Sequence, residues 1–273
     1  MRDTDCVALL EWALPRLGLR WKGFRRVRGQ VCKRIARRMR DLGLTEVSAY
    51  RERLEKAPAE WLDLDGLCRV TVSRFYRDRA LWERLETRWL PVIAEAARDR
   101  GARELRVWSA GCASGEEPYT LAVVWERALA GRLPGLALHV LGTDMDAAMV
   151  ERARRACYPA GSVRELPAAW RDAAFARENG RYRLREEYAR HVRFLRRDIR
   201  TAMPPGPWHL IFCRNLVFTY FAESLQRTLA ERLAARLAPE GMLVLGGHER
   251  LPAGVAGLAP VPGGGPFLFK RAA

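Results

Sequence analysis

Val107-Trp108-Ser109-Ala110-Gly111-Cys112-Ala113-Ser114-Gly115-Glu116-Glu117-Pro118-Tyr119 is the stretch on which the fold turns. Leu105 to Ser109 is short, apolar and bounded by polar residues, which is the pattern of a buried strand. The glycines at 111 and 115 allow a tight turn, and a helix is expected from Pro118 to Leu129. The same alternation continues downstream. Leu138–Asp144 is a second strand and Ala147–Ala156 a helix. Trp208–Cys213 is a third strand and Leu225–Leu237 a helix, and Gly241–Gly246 and Pro266–Lys270 are the last strands. Strands alternating with helices predict an α/β domain with a mostly parallel sheet covered on both faces.

Upstream the texture differs. Val7–Leu14, a segment from about Gly29 with Val31, Ile35 and Met39, and Glu46–Leu54 all carry helical spacing, with no strand signal. The expected organisation is a small all-α domain over 1–68, a linking helical segment over 69–104, and the α/β domain over 105–273. Arg181–Leu184 and Val192–Leu195 alternate polar and apolar residues, so a small β insertion is expected near 178–197.

Apolar residues at 49% and charged residues at 29% fit a globular protein. No apolar run reaches the roughly 18 residues that a membrane span needs. The start lacks the order of a secretory leader, so the expectation is a cytoplasmic protein, and a monomer. The six cysteines are scattered without a CxxC pair, and the histidines form no HExxH pattern. Neither a metal site nor a disulfide is expected. The net charge of +16 is concentrated between Arg20 and Arg40, where no acid interrupts the cations. That segment reads either as a solvated face or as a docking surface for an acidic protein or nucleic acid.

Ligands of open α/β sheets sit beyond the carboxyl ends of the strands. There the first strand ends in Gly111, and Glu116 and Glu117 open the following helix. Carboxylates at a helix start repel a dinucleotide pyrophosphate. S-adenosylmethionine carries no phosphate but an ammonium and a sulfonium, so the acids favour it over NAD. Asp144 closes the second strand, where an acid suits ribose hydroxyls; its plainer role, helix capping, could fall to Asp146 instead. Asp198 is placed for an adenine amino group, or is a loop acid. Arg214-Asn215 follows the Trp208 strand into the same crevice, and Tyr220 lies shortly after, read as packing or as catalytic.

Several segments together resemble the CheR-type methyltransferases. They are Trp108–Tyr119, Gly142-Thr143-Asp144-Met145-Asp146, Ala153–Pro159, Ile211–Asn215 and Arg74-Phe75-Tyr76-Arg77-Asp78. The resemblance covers nearly the whole chain in order. It implies a Rossmann-like methyltransferase domain behind a helical N-terminal domain, and transfer of methyl from S-adenosylmethionine to a glutamate carboxylate of a chemoreceptor-like protein, leaving S-adenosylhomocysteine. Carried over by motif, the cofactor contacts would be Thr71, Ser73, Arg77, Gly111, Glu116, Asp144, Asp198, Ile199, Arg214 and Asn215. Arg77 and Tyr220 would lie nearest the methyl.

The chain departs from that pattern at four places. Thr71-Val72-Ser73 stands for Asn-x-Thr, and Leu216–Phe221 holds one residue more than usual. Gly246-Gly247-His248-Glu249 replaces Gly-His-Ser-Glu, and the turn Arg177–Arg181 lacks a glycine-rich loop, so peptide tethering through the β insertion is not expected. The rival readings are a methyltransferase acting on nucleic acid or a small molecule, with the basic helix gripping phosphates, and a cofactor-binding scaffold without catalysis.

Overall fold

The computed structural model describes residues 2–272, which fall into two compact units. The smaller unit takes the chain up to Val70 and adds Leu216–Gln226. The larger takes Thr71–Asn215 and the chain from Arg227 onward.

The smaller unit is helical, with main helices at Asp3–Ala13, Arg28–Asp41, Val47–Lys56 and Pro58–Leu67. Val31, Ile35 and Met39 form the buried stripe of the second helix, as their spacing predicts. Leu9, Leu10, Tyr50, Leu54 and Leu64 complete the core. Glu60 is buried among them, and its carboxylate takes Arg38 in two bonds of 2.9 Å and the Tyr50 hydroxyl at 3.0 Å. Leu216–Gln226 joins this unit through a bridge between Leu19 and Phe221 and through Arg20, which donates to the Thr219 and Phe218 carbonyls. Gly23 allows the approach, because any side chain there would meet the Thr219 carbonyl oxygen at 2.3 Å.

Two expectations change here. Cys6 and Cys32 form a disulfide, with their Cα atoms 5.9 Å apart. Sequence separation hides what helix packing brings together, and no CxxC pattern is needed. The basic segment 20–40 is also not one uniform docking face. Arg20 and Arg34 bind backbone carbonyls, Arg28 pairs with Asp3, and Arg38 pairs with Glu60 and Asp63. Lys22, Arg25, Arg26, Lys33, Arg37 and Arg40 remain exposed.

Among the described residues the larger unit holds ten strands in chain order: β1 Glu104–Ala110, β2 Ala137–Asp144, β3 Cys157–Pro159, β4 Phe175–Glu178 and β5 Arg181–Leu184. After them come β6 Val192–Arg196, β7 Trp208–Phe212, β8 Leu237–Val244, β9 Leu258–Pro260 and β10 Leu268–Arg271. Seven form one sheet in the order β6-β2-β1-β7-β8-β10-β9. β6, β2, β1, β7 and β8 run parallel, and β10 and β9 close the edge antiparallel. This is the Rossmann-like α/β architecture expected. The strand order reverses at β1, which has β2 on one side and β7 on the other, so the crevice opens at their carboxyl ends.

The small sheet differs from its expected bounds. Its strands are β3, β5 and β4, spanning 157–184 rather than 178–197. Val192–Arg196 instead pairs with β2 as the edge of the main sheet. Alternation of polar and apolar residues marks any half-exposed strand and does not say which sheet it joins. Residues 71–104 are likewise no mere linker. Phe75 N–H donates to the Ser162 carbonyl at 2.9 Å, and Ile93, Ala94 and Ala97 of the helix Leu90–Asp99 are buried. Among the described residues no helix is long and apolar enough to cross a membrane.

Candidate active site

The turn after β1 is held by the end of β2. Gly111 and Cys112 donate their N–H groups to the Thr143 carbonyl at 2.8 and 3.0 Å. Ala113 N–H reaches the Asp144 carboxylate at 2.9 Å. Gly111, Ala113 and Gly115 all have positive φ, so the backbone coils back on itself before the helix Glu116–Val124. Tyr158 locks the turn from β3 by donating its hydroxyl to the Ser114 carbonyl at 2.7 Å.

Glu116 is 1% exposed. Its carboxylate accepts the Ser114 hydroxyl at 2.8 and 2.9 Å, and Ser162 and Ser73 bond to it as well. Burial nevertheless raises its proton affinity above the usual carboxylate range, with the Ser114 bond opposing the shift. The Cys112 thiol is pushed far up by burial and by the neighbouring acids Asp144, Glu117 and Glu116, so it remains protonated and is no nucleophile. Asp146 caps the next helix by accepting from Ala148 and Met149, which relieves Asp144 of that task. Asp144 instead accepts the N–H groups of Ala113 and Asp146, which fix the orientation of its carboxylate.

Beyond β7, Arg214 is a fixed hub. It donates to Glu117 at 2.9 Å, to Asp78 at 2.6 Å and to the Arg77 carbonyl at 3.0 Å, and its side chain is 4% exposed. Asn215 has φ 55°, and its N–H donates to Glu249 at 2.7 Å. Glu249 also accepts Gly246 N–H at 2.7 Å, so one buried acid ties the ends of β7 and β8 together.

Arg77 behaves differently from Arg214. Its guanidinium donates to the Val72 carbonyl at 2.9 Å and makes no ion pair among the described residues. It sits between Tyr76 and Asp78, both non-glycine residues with positive φ. Such strain persists where the surroundings enforce it, and it gathers at functional sites. Tyr76 N–H is pinned to the Thr120 hydroxyl at 3.0 Å, and that hydroxyl donates in turn to the Glu116 carbonyl at 2.6 Å. The Arg77 loop is thus coupled to the helix that carries Glu116.

Asp198, expected to face an adenine, accepts Arg200 N–H at 2.9 Å and pairs with the Arg200 side chain at 2.8 Å; Ile199 is buried beside it. Thr71 and Ser73 lie half-buried ahead of Arg77. Tyr220 lies in the helical unit, with its ring 5.1 Å from Phe24. Asp78, Glu117 and Glu249 were missed as anchors of the site. The first two were visible in the quoted motifs, but their common partner, Arg214, is remote in sequence.

The family profile described as "CheR methyltransferase, SAM binding domain" matches residues 71–261. The chain belongs to the CheR methyltransferase family. A chemotaxis protein methyltransferase of Salmonella typhimurium is 34% identical over 230 residues, covering 81% of this chain and 76% of that protein. That of Escherichia coli is 33% identical over the same shares. That of Listeria monocytogenes is 35% identical over 186 residues, 68% of each. The CheR cofactor is S-adenosylmethionine, and the residues here fit it. The turn after β1 is bordered by Asp144 and backed by the buried Glu116, while Glu117 is taken by Arg214, and an acid-lined turn suits a cationic ligand better than a pyrophosphate. Among the described residues no cluster of three potential metal ligands occurs.

Proposed function

We propose that this CheR family member transfers methyl to the side-chain carboxylate of a glutamate in an acidic, chemoreceptor-type protein. The products are a glutamyl methyl ester and S-adenosylhomocysteine. The observation that carries this reading is the contrast between two neighbouring arginines: Arg214 is neutralised by Asp78 and Glu117, whereas Arg77 has no carboxylate partner. A guanidinium held in a strained loop and left unpaired is suited to take a substrate carboxylate in a two-pronged contact.

The bound cofactor supplies an electrophilic methyl group on a sulfonium. The acceptor is already ionised at neutral pH, with a reference pKa of about 4.3, so no general base is needed. The protein's work is orientation and exclusion of water. In this reading Asp144 accepts the ribose hydroxyls, and Glu116 supplies negative charge behind the turn at Gly111. Thr71, Ser73, Asp198, Ile199 and Asn215 line the rest. Arg214 contributes by holding Asp78 and Glu117 rather than by direct charge. Lys33, Arg37 and Arg40 fall on one exposed face of the helix Arg28–Asp41, and we assign that face to the acidic substrate.

The test is incubation of the protein with methyl-labelled S-adenosylmethionine and a chemoreceptor cytoplasmic fragment. Label released as methanol by mild base supports the ester. Label that survives base, or that enters nucleic acid, overturns it.

A further inference from the structure

A groove of about 910 Å³ lies between the helix Ala147–Arg155 and one face of the small sheet. Its walls carry four arginines and one acid, Glu151. Arg152 and Arg155 come from the helix, and Arg181 and Arg183 come from β5. Arg181 and Arg183 alternate along β5 opposite Pro159 and Cys157 of β3, so both project from the same face.

The cations are held in place without being fully neutralised. Arg181 donates to the Cys157 carbonyl at 2.9 Å, and Arg183 donates to the Arg155 carbonyl at 3.1 Å. Arg183 also pairs with Glu178, and Arg155 with Glu151. Arg152 and Arg181 make no ion pair among the described residues; the charge of Arg152 acts on the buried Glu116, and its own buried Nε has no hydrogen-bond partner. The groove therefore offers two guanidinium groups outside any ion pair, one from each wall. A compact dianion suits that arrangement better than the singly charged, widely spaced side chains of an acidic peptide. The volume falls in the range of roughly 300–1,000 Å³ usual for small-molecule sites, well above what a bare oxyanion fills.

We propose that this groove binds a phosphorylated small molecule, with its phosphate monoester between Arg152 and Arg181. Nothing in the methyl-transfer chemistry calls for such a ligand, and the proposal stands independently of the acceptor.

Cys157 offers a direct readout. It lines the groove and is half-buried, whereas the other cysteines outside the disulfide, Cys68, Cys112 and Cys213, are buried. The full-length protein is alkylated with iodoacetamide and the label on Cys157 is followed by peptide mass spectrometry, with added ribose 5-phosphate, ribose, sulfate or an oligoglutamate peptide. Ribose 5-phosphate is expected to slow Cys157 alkylation about tenfold at saturation, ribose is expected to have no effect, and Arg181→Gln, at an exposed strand position, is expected to abolish the protection. Arg152→Gln is expected to do the same. Three results overturn the proposal: no protection by the sugar phosphate, protection that survives both substitutions, or equal protection by sulfate. Stronger protection by oligoglutamate would assign the groove to an acidic protein segment and overturn it as well.

Discussion

Arg77 and Arg214 are close in chemistry and opposite in circumstance. Arg214 is consumed by two carboxylates and a carbonyl, and Arg77 by a single carbonyl. Arg77→Ala is therefore expected to lower kcat by about 10²-fold while changing cofactor affinity by less than about threefold. Single-turnover kinetics and calorimetric titration with S-adenosylhomocysteine separate the two. Glu116 makes the reverse prediction. Its raised folded-state pKa means that the folded protein holds the proton more tightly than the unfolded chain, so this group's stabilising contribution is full below the unfolded value and is lost as pH rises through the folded one. Glu116→Gln removes that loss. Its melting temperature at pH 8 is expected to equal or exceed the parent's, with cofactor affinity reduced about tenfold. A lower melting temperature with unchanged affinity would contradict the role. The acids of this turn were legible from sequence because charge type alone discriminates between cofactors. The pairing of Arg214 was not legible, because Asp78 and Glu117 reach it from segments about a hundred or more residues away.

Among the elements, the turn before the helix Glu116–Val124 is the least tolerant. Gly115 has φ 89°, and a Cβ there would meet Ala153 at 2.9 Å, the Phe194 ring at 3.0 Å and the Tyr158 hydroxyl at 3.1 Å. Gly115→Ala thus combines backbone strain with contacts to β3, β6 and the helix Ala147–Arg155. A loss of about 2–3 kcal/mol in a urea titration is expected. The central parallel strands β1, β2 and β7 were readable as apolar runs, with ends correct to a residue or so, because burial on both faces leaves little room for polar side chains. The small sheet was misplaced because β3 is only three residues long and carries no alternation of its own. The helix Pro58–Leu67 lies within the expected all-α region but carries no stripe of its own, since its apolar residues do not gather on one face.

At the scale of the whole molecule, the cross-link between Cys6 and Cys32 closes a loop with a separation of 26 residues. A loop of that size constrains the unfolded chain by about 3–4 kcal/mol. Cys6→Ser, or reduction by dithiothreitol, is expected to lower the unfolding free energy by an amount of that order. A thermal melt with and without reductant checks it. The all-α start and α/β remainder were both expected from sequence, but the return of Leu216–Gln226 to the helical unit was not, since a short apolar helix gives no sign of which core it joins. That return has a consequence for heredity and for engineering. The chain passes from one unit to the other three times, after Val70, after Asn215 and after Gln226. The helical unit is therefore not a cassette that a single crossover can exchange. A recombinant joined at residue 70 inherits eleven residues shaped for a partner it no longer has, so the two units must change together or not at all.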